Sequence, residues 1–191
     1  MRAATSQPLL ASSWPHTFYL YAARSARGIG DGFAFIILPA YLSELGFDPL
    51  QIGVVATAAL LGSAATTLAV GFLAARYDLR NLLLIGAAVM AATGLAVANF
   101  HALTAILIIV FIGSLNPSTG DLGMIVPLEH AMLARGARDE DRTGVFARYS
   151  LIGTASTAAG ALAAATPDFL VSFGASRLDA LEAMFYVYAA L

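Results

Sequence analysis

The chain has 191 residues, 59% of them hydrophobic and 12% charged, with a mean hydropathy of +0.79. Soluble domains carry roughly 25% charged residues, so this is the composition of a membrane protein. The net charge of −2 argues against a nucleic-acid partner, and the absence of cysteine excludes disulfides and thiolate metal sites while saying nothing about compartment.

Residues 1–17 are polar, contain Pro8 and Pro15, and show no cleavable signal pattern; they read as a cytoplasmic tail. The first apolar run, about 18–42, is long enough to cross a bilayer. It nevertheless carries Arg24, Arg27 and Asp31. Each such group costs roughly 2.5–3.5 kcal/mol at the centre of a membrane helix, and persists where it faces a protein interior or a watery cavity. At about 100° per residue, Arg24, Gly28, Asp31 and Phe35 share one narrow sector with Arg27 at its edge, and the opposite face is lipid-compatible. That is the pattern of a cavity-lining helix. Asp31 is the first candidate for a proton or cation site, the alternative being a salt bridge within the helix. Arg24 and Arg27 are candidates to meet an anionic substrate, or else snorkel toward the near membrane surface.

A short acidic turn at 43–49 leads into a second helix, about 50–75, where Gly62, Thr66 and Gly71 offer a small-residue surface for close packing. Arg76, Asp78 and Arg80 form a charged turn suited to gating and to fixing topology. The third helix, about 81–99, has no internal charge and reads as a lipid-facing scaffold. The fourth, about 102–133, is too long for a straight span and is interrupted at 116–123 (NPSTGDLG). Pro117 removes a backbone hydrogen bond there, and broken membrane helices are tolerated where they line a cavity. Asp121 in this break is the second coupling candidate, with Asn116, Ser118 and Thr119 as polar cavity partners; the plainer alternative is that Asp121 caps the broken helix.

Glu129 and Arg148 are expected to form a structural or gating ion pair near the cytoplasmic side. A hydrophilic loop at 135–142 precedes a fifth helix, about 144–165, with a stripe of Gly153, Thr157, Gly160 and Ala164. Residues 166–180 read as a loop, and the run 181–191 as the start of a sixth helix too short to span alone. Arg2, Arg76, Arg80, Arg135, Arg138 and Arg142 fall on one side and Arg177 on the other, which places the N-terminus in the cytoplasm. Gly30-Asp31 followed by Pro39 is weakly repeated by Gly120-Asp121 followed by Pro127, as in inverted three-helix repeats. His101 and His130 stand singly at helix ends. No metal-ligand spacing, phosphate loop or nucleophile motif is present, so neither enzyme activity nor a cofactor is expected.

Several of these stretches resemble the N-terminal half of a major facilitator superfamily transporter. The start of the first helix, the exit 39–46 (PAYLSELG) and Gln51-Ile-Gly53 are similar to bacterial members. The stretch 71–80 (GFLAARYDLR) resembles the family's loop motif G-x-L-x-D-R-x-G-R-R: Gly71, Leu73, Arg76 and Arg80 agree, whereas Ala75 and Asp78 replace its Asp and Gly. The arginine that many proton-coupled exporters carry in the fourth helix is missing from 111–116, and so is the G-P-x-x-x-G-P pattern of antiporters. The resemblance implies an all-α membrane bundle over 18–191, with five full helices and a partial sixth, in a multi-pass protein of a bacterial inner membrane. It also implies a small-molecule substrate moved by alternating access, with Asp31 and Asp121 as coupling carboxylates. A second six-helix half would complete the cavity: the rest of a longer chain, a separate chain, or a second copy. The other function class is a non-transporting membrane subunit that binds a larger membrane complex.

Overall fold

A computed structural model describes residues 14–74, 76–113, 115, 125–136 and 141–191. The described residues are helical apart from short turns and contain no strand: α1 (Trp14–Glu44), α2 (Pro49–Leu73), α3 (Leu79–Asn99), α4 (Leu103–Ile112), α5 (Ile125–Gly136), α6 (Arg142–Ala163), α7 (Thr166–Ser172) and α8 (Arg177–Ala190). Asn116, Ser118, Thr119 and Asp121 lie outside the described residues. Among the described helices, α2 and α3 are long and apolar enough to cross a membrane by length and composition. The bundle presents apolar side chains outward, including Leu61, Leu68 and Phe72 of α2, Leu84 of α3 and Ile112 of α4. An exposed apolar surface of that extent suits lipid.

Local chemistry sets the turns. Gly46 takes a φ of +86°, which a residue with a side chain rarely adopts, and so lets the chain reverse after α1. Asp48 then starts α2: its carboxylate accepts from the Gln51 amide nitrogen at 2.8 Å, and the Gln51 side chain accepts from the Asp48 amide nitrogen at 3.0 Å. This reciprocal box satisfies two donors that a helix start leaves open. Ser176 caps α8 by accepting from the Asp179 amide at 3.1 Å. The stretch 166–180, expected as a loop, holds α7 and the first turn of α8, with Pro167 in the first turn of α7. Proline is favoured there because its missing N–H would have no helical partner.

Helices pair as α1 with α6, α3 with α8 and α2 with α4, and α8 also packs on α1. A membrane interior gives no hydrophobic drive between helices, so close packing must hold them. At α1–α6 the small residues make that possible. A Cβ on Gly32 would strike the Thr157 carbonyl, and one on Gly160 would strike the Ile29 carbonyl. Gly28 meets Ser156 in the same interface, and Gly62 of α2 meets the Phe111 backbone of α4. Gly71, grouped with Gly62 on sequence grounds, has nothing within 4 Å of such a Cβ.

Two faces differ from their expected environment. Part of the face of α1 expected to meet lipid is covered by α8: Phe33 packs edge-on against Tyr188, and Tyr41 packs against Phe185, while Ile36 stays exposed. The α3 helix is no lipid-facing scaffold on one side, because Leu82, Gly86, Met90, Gly94 and Val97 are buried at helical spacing. The Tyr41 hydroxyl donates to the Val97 carbonyl at 2.9 Å and ties α1 to α3. At the end of α1 distant from its arginines, Arg177 reaches Glu44 at 3.6 Å and Asp168 at 3.3 Å, joining α1, α7 and α8.

Overpacking a close contact costs typically 1–3 kcal/mol. Gly160→Val should therefore lower the thermal unfolding midpoint in detergent, and Gly71→Val should leave it near the parent value. Equal destabilisation by the two variants would show that the α1–α6 contact carries no special weight.

Candidate functional site

The polar side chains of α1 do not share one environment. Arg27 points into the bundle and is 8% exposed; Glu129 of α5 meets it and is 1% exposed. The Arg27 Nη1 donates to Glu129 Oε1 at 3.0 Å and Nη2 donates to Oε2 at 2.5 Å. This two-pronged geometry matches the guanidinium fork to the carboxylate and is among the stronger hydrogen-bonding arrangements. The Tyr149 hydroxyl of α6 donates a third, short hydrogen bond to Glu129 Oε2. The carboxylate is thus shared by three helices.

Arg24 is buried one turn earlier. Its guanidinium carbon lies 5.1 Å from the centroid of the Tyr149 ring, within reach of a cation–π interaction. Room for it comes from Gly153, where a Cβ would fall on the guanidinium group. His130 packs edge-on against Phe146 and Tyr149, with ring centroids 5.3 and 5.1 Å away.

Asp31 sits one turn beyond Arg27 and is half-buried. It accepts a hydrogen bond from the Tyr188 hydroxyl of α8 at 3.3 Å. Phe35, grouped with Asp31 on the helical wheel, is 37% exposed.

The expected ion pair between Glu129 and Arg148 does not form. Glu129 engages Arg27 and Tyr149, whereas Arg148 is exposed on α6. The physical reason is cost. Arg148 can keep its charge in a polar environment, but Arg27 on α1 is enclosed by the bundle and needs a counter-charge. Arg76, Asp78 and Arg80 are all exposed at the turn between α2 and α3; Asp78 occupies the N-cap position of α3 without a side-chain cap bond. The sequence did not single out Tyr149 or Tyr188, and Gly153, expected as part of a packing stripe, makes room for Arg24. The available signal was a polar-tipped aromatic, or a glycine, set into an otherwise apolar helix. Among the described residues, no three acidic or histidine side chains gather as a metal site.

A family model described as Major Facilitator Superfamily matches residues 7–191. The chain belongs to the Major Facilitator Superfamily. A Saccharomyces cerevisiae protein described as an uncharacterized membrane protein is 25% identical over 173 residues, covering 89% of this chain and 39% of that protein. The chain therefore spans well under half the length of that curated relative. That relative is from yeast and gives no ground for the expected bacterial membrane; the chain is a multi-pass membrane protein of this superfamily. No solved structure matches the chain.

Removing one partner of a buried ion pair typically costs 3–5 kcal/mol, because the other charge is left uncompensated, whereas replacing both by apolar groups is often nearly neutral. Glu129→Leu alone should sharply reduce the yield of folded protein in mild detergent, and the double variant Arg27→Met, Glu129→Leu should recover most of it. A double variant as poor as the single one would mean that the charges do not act as a pair.

Proposed function

We propose that this superfamily member forms the N-terminal six-helix unit of a secondary carrier, supplying one wall of a cavity through which a small solute passes. The observation that carries this reading is the set of ionisable side chains held inside an apolar bundle: Arg24, Arg27 and Asp31 on α1, with Glu129 brought in from α5. Charges at that depth are expensive, and in membrane proteins they mark substrate or ion pathways. The buried Arg27–Glu129 pair with Tyr149 serves as the structural anchor. Asp31 stands beside it, half-buried, and is the carboxylate proposed to load and release a proton.

The proposed mechanism is alternating access, in which this unit rocks against a second six-helix unit about a midplane site. Asp121 is the second proposed coupling carboxylate on the strength of its place in the sequence, with Asn116, Ser118 and Thr119 beside it as cavity groups. Arg24 and Arg27 are proposed to set the potential of the cavity, and Arg76, Asp78 and Arg80 to act in gating at the turn between α2 and α3. A cytoplasmic N-terminus is supported by the arginine-bearing turns on that side, against Arg177 beside Glu44 at the opposite end of α1.

The test is uptake by membrane vesicles carrying the chain with whatever second unit co-purifies, across a panel of small solutes, with and without an imposed pH gradient. Asp31→Asn should abolish gradient-driven accumulation while vesicle content of the protein stays unchanged. Undiminished accumulation would remove Asp31 from coupling. Absence of any uptake, with a stable complex to another membrane protein, would favour a non-transporting subunit instead.

A further inference from the structure

Tyr188 is the one side chain from outside α1 that the structure hydrogen-bonds to Asp31 among the described residues. Its ring has no freedom to leave. It is wholly buried, packs edge-on against Phe33 of α1, and fills a slot floored by two glycines. A Cβ on Gly30 of α1 would come within 3.1 Å of the ring, and one on Gly94 of α3 within 2.9 Å. Both glycines are therefore needed for the aromatic ring to enter between α1 and α3, and the slot fixes where its hydroxyl points. Asp31 is by contrast half-buried. At 3.3 Å the hydrogen bond is longer than the usual 2.5–3.0 Å for O–H···O, so a modest rotation of the acid makes or releases it.

We infer that Tyr188 is a positioning residue for Asp31, a fixed hydroxyl held by the Gly30–Gly94 slot that gives the acid a defined resting orientation. This rests on the reading of Asp31 as the coupling carboxylate. The charged and polar groups near enough to act on Asp31 are Arg24 and Arg27 of its own helix, Glu129 of α5 and Tyr188 of α8, of which Tyr188 touches it. Near the slot, α3 contributes Met90 and Gly94, which carry no charge. Three of those four partners are charged and are shared with the Arg27–Glu129 anchor, so changing them would disturb the fold as well as the acid. Tyr188 can lose its hydroxyl and keep its ring. A hydrogen bond to the charged form of an acid favours that form, and its loss lets the proton stay on at higher pH.

The experiment is labelling of Asp31 by dicyclohexylcarbodiimide, which modifies the protonated acid, across a pH series on the full chain in lipid nanodiscs, read by peptide mass spectrometry. Asp31→Asn identifies the signal by removing it. Tyr188→Phe should extend labelling to higher pH by about half a unit or more, with the thermal unfolding midpoint close to that of the parent. An unshifted profile in a variant of parental stability would overturn the positioning role and leave Asp31 as the coupling acid. A parent chain in which Asp31 takes up no label at any pH would overturn the coupling reading itself, and the role of Tyr188 with it.

Discussion

An arginine enclosed by apolar helices must be neutralised where it lies, and the arrangement around Arg27 follows from that requirement. Its fork is matched by the Glu129 carboxylate, which arrives from 102 residues further along the chain. The second oxygen of that carboxylate takes the Tyr149 hydroxyl. One charge on α1 thus holds α5 and α6 to the same point. Without Glu129 the guanidinium would face desolvation unaided, at a cost of several kcal/mol. A bundle with so few charges has little else to absorb such a loss.

The remaining contacts obey the logic of a lipid solvent. Large apolar side chains face outward, as on α2; inside, α1 meets α6 and α2 meets α4 through small residues, whereas α1, α3 and α8 meet through large ones such as Phe33, Met90 and Phe185. Close approach replaces hydrophobic burial as the source of cohesion. Polar ties then fix register at chosen depths: Tyr41 to the Val97 carbonyl, Tyr188 to Asp31, and Arg177 to Glu44 and Asp168 at the outer turn. Glycine has two uses here. It brings backbones together at Gly32 and Gly160, and it makes room for a working side chain at Gly153, Gly30 and Gly94.

Much of this was legible in the residues. Apolar run lengths gave the long helices and the turn at Gly46, and the charges within the first run singled out Arg24, Arg27 and Asp31. The spacing of Gly153, Thr157 and Gly160 announced a packing stripe. What could not be read was which distant segments meet. Arg148 is near Glu129 in sequence, and Arg27 is not, yet burial decided the pairing. The same gap hid Tyr188: a tyrosine late in a short apolar run carries no sign that its ring enters a slot formed by residues 30 and 94. The short helix α7 was overlooked for a different reason. Its Thr-Pro-Asp start is a recognisable helix opening, but seven residues are too few to show a hydrophobic period.

The α1–α6 contact has a mechanical consequence. Where two helices touch through backbone atoms at Gly32 with Thr157 and at Gly160 with Ile29, no layer of adjustable rotamers separates them. Sliding by a residue, or turning about either axis, would drive a carbonyl into a neighbouring main chain. The pair is keyed like a lock and shaft, and it transmits displacement without slack. Any tilt given to α6 is passed whole to α1, and with it to Arg24, Arg27 and Asp31.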